Sequence, residues 1–191
     1  MSEYRYPLIA YLDPSASAVV RSLQAKIREL SGSQAAMHDW DPHITLGSEV
    51  WVKDKDLGQY ESDLHEAVSS HRPFSVSIQD YGFIDDWTGG NLPGNSPYGI
   101  FLNVNVTPEL QDLATAVETV ASRRKLYFKR PAPYLPHVTL AFRDLDRAGY
   151  DRAKAALTGE TFSTTTIISH VSLAKVSQTG HNFEAARIPL S

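Results

Sequence analysis

The chain of 191 residues contains no cysteine. Disulfides, thiol nucleophiles and cysteine-ligated metals are therefore excluded, and the absence fits a reducing compartment. Long apolar runs are missing too: none approaches the ~20 residues that a membrane-spanning helix needs. The opening stretch MSEYRYPLIAYLDP has no basic region followed by an apolar core, so it does not read as a signal peptide. Charge of one sign is also scarce. A net charge of −4 and a pI near 5.9 do not advertise nucleic-acid binding, although RRKLYFKR at 123–130 forms a local basic cluster that could meet a phosphate. What remains is 42% hydrophobic and 21% charged, the ordinary mix of a globular domain, and long enough for one core or for two small lobes sharing one. The expectation is a cytoplasmic monomer with no membrane partner.

Along the chain, PLIAYL at 7–12 is a short apolar run closed by Asp13-Pro14 and reads as a strand. Val19, Val20, Leu23, Ile27 and Leu30 then fall at helical spacing until Ser31-Gly32 stops them. HITLGSEVW at 43–51 reads as a strand with Ile44 and Leu46 on one face and His43, Thr45 and Gly47 on the other. Leu57, Tyr60, Leu64, Ala67 and Val68 mark a second helix, and FSVSIQDYGF at 74–83 is a second alternating strand. The segment 85–97, DDWTGGNLPGNSP, reads as a loop able to close over a ligand, with Trp87 at its tip. After it the order repeats. YGIFLNVNV is a strand, Thr107-Pro108 starts a helix striped by Leu110, Leu113, Ala114, Val117 and Val120, and a basic linker leads to HVTLAF. A short helix over 146–157 follows, and FSTTTIISHVSLAKV and NFEAARIPL supply two final strand-like segments. The predicted class is α+β: a bilobal, pseudo-two-fold single domain over 1–191, with two small antiparallel-rich sheets facing a groove, helices outside, and lobes drawn from roughly 1–84 and 98–191.

One pattern is written twice. PHITL at 42–46 and PHVTL at 136–140 set a histidine and a threonine two residues apart in otherwise apolar strands. Residues two apart on a strand share a face, so each motif presents an imidazole beside a hydroxyl. Two imidazoles across one groove are equipment for concerted acid–base chemistry: one accepts a proton from water while the other gives one to a departing alkoxide. The threonine hydroxyls can hold phosphoryl oxygens. Two His and two Thr make a poor zinc set, so neither metal nor cofactor is expected.

The motifs PHITL and PHVTL resemble the two signatures of the 2H phosphoesterases. That superfamily includes bacterial RNA 2′,3′-cyclic phosphodiesterases, once called 2′-5′ RNA ligases. It also includes eukaryotic cyclic phosphodiesterases acting on ADP-ribose 1″,2″-cyclic phosphate. YLPHVTLAF and IFLNVNVTPELQDLATAV look most like the plant and yeast branch, whose second motif also follows Tyr-x-Pro. The resemblance implies metal-free hydrolysis of a cyclic phosphodiester, with a nucleotide cyclic phosphate or an RNA terminus as substrate. It implies His43 and His137 as catalytic residues and Thr45 and Thr139 as phosphate-binding residues. Tyr11 sits where that branch carries an aromatic lining the nucleotide site, and Phe142 where it carries a tyrosine. Tyr134 and Arg130 complete the candidate substrate contacts. RNA 2′-5′ linkage processing, or binding of nucleotides or RNA ends without turnover, are the alternatives. The pseudo-symmetry leaves the base and acid roles of the two histidines open, and with them the phosphate isomer released.

Overall fold

The computed structural model describes residues 2–87, 96–177 and 181–191. Strand β1 (Glu3–Tyr11) turns at Asp13 into helix α1 (Pro14–Ser31). Asp13 caps the helix through its carboxylate, which accepts from the N–H groups of Ser15 and Ala16, while Pro14 fills a first-turn position that needs no donor. Gly32 stops it in the left-handed region at φ 81°. A short helix α2 (Ala35–Asp39), absent from the sequence reading, then delivers the chain to β2 (His43–Lys53). Helix α3 (Leu57–Val68) and β3 (Phe74–Ile84) close the first half.

The second half runs β4 (Gly99–Val104), α4 (Pro108–Ala121), β5 (Lys125–Phe128), β6 (His137–Ala141), α5 (Arg147–Leu157), β7 (Ser163–Ile168), β8 (His170–Lys175) and β9 (Phe183–Pro189). The five stripe residues expected on α4 are all buried. On α1, by contrast, Val19 is exposed and the face is completed by Gln24 instead.

Two antiparallel sheets result, ordered β5-β2-β1-β8-β9 and β6-β4-β3-β7. The runs β2-β1-β8-β9 and β6-β4-β3-β7 are equivalent, each with a His-x-Thr strand beside the strand that feeds it. The fold class is α+β, bilobal and pseudo-two-fold. Each crossover helix packs behind the other sheet's motif strand: α4 lies on β2 of the first sheet and α1 on β6 of the second.

Three expectations are corrected. The supposed basic linker contains β5, which adds an edge strand beside β2. The segment 162–176 is not one strand: it breaks at Ser169, so β7 pairs with β3 in one sheet and β8 with β1 in the other. Gly47 does not share the face of His43 and Thr45. Register shifts in the β1–β2 ladder turn it inward, where an added Cβ would lie 2.9 Å from Val117 Cγ1 and 3.2 Å from Leu8 Cδ1. Glycine there lets α4 approach the strand.

Candidate active site

His43 opens β2 and His137 opens β6. Both rings are held the same way: Nδ1 bonds to the carbonyl two residues back, Asp41 O at 2.8 Å and Leu135 O at 3.0 Å. A carbonyl only accepts, so Nδ1 carries the proton and donates, which leaves the lone pair of each neutral ring on Nε2. Burial pulls the His43 pKa down to about 4; the bond to Asp41 works against the shift, and the like charge of His137 adds to it. His137 is lowered as well, again chiefly by burial. The influence of His137 on His43 reflects how close the two motifs lie, and β2 and β6 are in contact.

Each histidine has an aromatic escort. Trp40 lies 5.0 Å from the His43 ring and Tyr11 meets it edge-on at 6.3 Å. Phe101 lies 5.1 Å from His137, and Trp87 meets it edge-on at 5.7 Å. Trp87 is therefore not at a loop tip. Its N–H donates to the Pro97 carbonyl and its ring crowds Gly99, which puts it at the base of the expected loop, of which 88–95 lie outside the described residues.

Thr45 and Thr139 follow their histidines at the spacing that shares a face, and both are half-buried. The backbone carbonyl of each threonine is clamped by a side chain from elsewhere. Tyr134 Oη donates to Thr45 O at 2.9 Å, and Gln24 Nε2 donates to Thr139 O at 3.1 Å. Tyr134 belongs to the approach to the second motif yet holds the first. Gln24 lies on α1, which precedes the first motif, yet holds the second. Arg21, one turn earlier on α1, bonds to Gln24 Oε1, to the Met37 carbonyl and to Asp41, the residue whose carbonyl fixes His43.

Of the other candidates, Tyr11 pairs with His43 across the β1–β2 ladder, and burial pushes its phenol up to about 12. Arg130 stacks on Tyr134 at 4.4 Å and lies 3.7 Å from Glu118, and its N–H donates to Ser48 Oγ. Its charge is thus already partnered. Phe142 lies just past β6, with the Arg143 guanidinium 5.2 Å from its ring centre. No described contact joins it to either motif.

Sequence reading missed Gln24 and Glu118. Gln24 had a signal, a polar residue on an apolar helical stripe between Val20 and Ile27. Glu118, which accepts from both the N–H and Oγ of Ser48, had none. Among the described residues no group of three His, Asp or Glu is placed to hold a metal ion, and no helix is long and apolar enough to cross a membrane.

The sequence profile of the 2′-5′ RNA ligase superfamily matches residues 14–180. The chain belongs to that superfamily, the 2H phosphoesterases. No curated protein matches the sequence. Among solved structures, E. coli LigT complexed with 3′-AMP superposes with a TM-score of 0.69 at 16% identity, covering 100% of this chain and 99% of LigT. TT0787 of Thermus thermophilus gives 0.67 at 17% identity over 97% of each chain. At such identities these likenesses speak to the fold. Phosphoester chemistry rests on the superfamily.

Proposed function

We propose that the protein hydrolyses cyclic phosphodiesters of the 2′,3′-cyclic nucleotide type without a metal ion. The observation that carries this reading is the matched pair of imidazoles, each fixed through Nδ1 so that Nε2 serves the shared groove. Water attacks the phosphorus in line with the departing ribose oxygen. His43, pulled down to about 4, stays neutral in mild acid and takes the proton from water. His137 gives its Nε2 proton to the leaving oxygen, and the P–O bond of the ring breaks. Thr45 and Thr139 donate to the non-bridging oxygens as charge builds there. The products are a nucleoside monophosphate, a protonated His43 and a neutral His137, and the pair is reset when His43 gives its proton to solvent and His137 takes one up. Crystals of E. coli LigT with 3′-AMP give a related fold holding a nucleoside monophosphate, which supports the reading.

The test is turnover of the four 2′,3′-cyclic nucleoside monophosphates in EDTA, with His43→Ala and His137→Ala beside the wild type. Each substitution should lower kcat by about 10²–10⁴, the usual contribution of a positioned acid or base. Turnover that survives both, or that needs added metal, would sink the mechanism.

A second substrate reading, an RNA end, is favoured by one feature. Beyond Thr45, β2 and its neighbours carry alternating cations and rings: Arg5 lies 4.3 Å over Tyr127, Tyr127 meets Trp51 edge-on at 5.6 Å, and Lys125 lies 5.5 Å from Trp51. Such strips can stack and track a single strand. A lower KM for an oligonucleotide with a 2′,3′-cyclic end than for the mononucleotide supports this extension, and Trp51→Ala should erase the difference.

A further inference from the structure

The turn that carries the first histidine is fastened to the strand exit of the second. Helix α2 touches β6 and ends at Trp40, whose ring lies 5.0 Å from that of His43. Next in the chain is Asp41, whose carbonyl accepts from His43 Nδ1. Whatever fixes the end of α2 therefore fixes both the apolar cover of this imidazole and its hydrogen-bond acceptor.

Two consecutive residues beyond β6 hold α2 at its two ends. Asp144 accepts from the N–H groups of Gln34 and Ala35 at 2.8 and 3.1 Å and from the Ser33 hydroxyl at 2.6 Å, which caps the first turn from the other half of the chain. Arg143 Nη2 donates to Asp39 Oδ2 in the last turn. The other carboxylate oxygen of Asp39 lies 2.9 Å from His38 Nδ1, and its carbonyl accepts from Asn182 N and Nδ2 at 2.9 and 3.1 Å. Only 13% of the Asp39 side chain is exposed, against 40% for Arg143, so the carboxylate depends on its partners more than on water.

Arg143 takes this place at φ 63°, in the left-handed region that a residue with a side chain seldom adopts. The Asp144 N–H donates to the Phe142 carbonyl across it, and the Ser96 N–H donates to its own carbonyl. A backbone of this cost persists where its surroundings impose it. Here it turns the guanidinium toward α2. Arg143 stands six positions after His137, and Asp39 four before His43, so their ion pair bridges the two motifs by a short path.

We propose that Arg143 is a positioning residue for His43: through Asp39 it keeps Trp40 on the ring and Asp41 at Nδ1, so that the second motif sets the geometry of the first. The kinetic consequence rests on the hydrolase reading; the effect on the imidazole does not. The charges that act on His43 are Asp41, which favours the protonated ring, and His137, which opposes it. Arg21 and His181 face Asp41 in turn, and the Tyr11 phenol stands beside the ring.

The experiment is an NMR titration of the His43 ring, assigned by its loss in His43→Gln. The wild type is compared with Arg143→Gln, Arg143→Lys, Arg143→Gly and Asp39→Ala, with Tm and turnover of a 2′,3′-cyclic nucleoside monophosphate measured beside it. Arg143→Gln and Asp39→Ala change the local charge in opposite senses, so a purely Coulombic influence would move the His43 midpoint in opposite directions. Positioning moves both the same way. Water reaches the loosened ring, and the midpoint rises from about 4 by roughly one pH unit or more. In both, kcat should fall about 10–10²-fold, and Arg143→Lys should retain most of the wild-type behaviour. Glycine suits φ 63°, so Arg143→Gly should show the same midpoint with a smaller loss of Tm than Arg143→Gln. A His43 midpoint unmoved in Arg143→Gln and Arg143→Gly overturns the proposal whatever the Tm, and so do shifts of opposite sign in Arg143→Gln and Asp39→Ala. An active wild type whose kcat survives Arg143→Gln overturns it too. Shifts of one sign in a protein that turns over no cyclic nucleotide keep the positioning role and remove the hydrolase.

Discussion

His43 carries its proton question in its surroundings rather than in its identity. An unburied imidazole titrates near 6.5; here burial against Trp40 and Tyr11 favours the neutral ring and takes the value to about 4. His137 moves in the same direction. The proposed mechanism needs one ring neutral and one protonated, so kcat/KM should peak on the acid side of 6.5 and fall on both sides. A profile flat from pH 5 to 8 would exclude a two-histidine mechanism. The same shift bears on stability. Between pH 6.5 and 4 the unfolded chain takes up a proton at His43 that the folded chain refuses, so this group's contribution is present above 6.5 and lost as pH falls, up to about 3 kcal/mol. Glu49 opposes it: burial raises its carboxyl to about 7, so below that pH the folded state binds the extra proton and gains. The comparison that isolates His43 is therefore Tm against pH for His43→Gln minus wild type. The variant should lose less stability than the wild type between pH 6.5 and 4.

At the scale of elements, the distance between the two motifs is set by side chains that are not part of them. Tyr134 holds the Thr45 carbonyl and Gln24 the Thr139 carbonyl, so each motif is braced from the surroundings of the other. Tyr134→Phe keeps the ring and its contact with Arg130 but leaves a half-buried carbonyl unpaired. It should cost about 1–3 kcal/mol of stability. With Thr45 in its proposed role on the phosphoryl oxygens, kcat should fall more than KM rises. Gln24→Leu should behave alike at the other motif, with Arg21 losing a partner as well. If the two variants lower Tm but leave kcat intact, the braces serve folding alone. Steady-state kinetics beside thermal unfolding separates the cases. Helix α4 makes a third brace from behind: Glu118 takes the Ser48 N–H and hydroxyl, and Gly47 admits Val117.

Across the whole molecule, the two sheets are joined at Asp13. Its N–H donates to Thr166 Oγ1, and its carboxylate accepts from that hydroxyl and from the Ile167 N–H while capping α1. These bonds hold its carboxyl below the usual range, the one to Ala16 most of all. Asp13→Ala removes a cap and an inter-sheet tie together, and should cost about 2 kcal/mol or more of stability. Asp13→Asn, which keeps a capping oxygen, should recover part of it. Equal Tm values for the wild type and Asp13→Ala would mean that the sheets are held by their helices alone.

The sequence by itself determined the strands and helices whose periods are clean, the duplicated order, and the shared strand face of His43 with Thr45 and of His137 with Thr139. Those properties are local: a two-residue period fixes which side chains share a strand face, whatever the strand pairs with. Only the tertiary structure decided what depends on partners distant in the chain. That FSTTTIISHVSLAKV serves two sheets, that RRKLYFKR contributes an edge strand, and that Arg130 answers to Glu118 are matters of pairing, which alternation does not encode. The braces at Gln24 and Tyr134 span 115 and 89 residues. Two copies of one motif made the histidines look equivalent, and it is the different rings packed around them, Trp40 and Tyr11 on one side and Phe101 and Trp87 on the other, that set them apart.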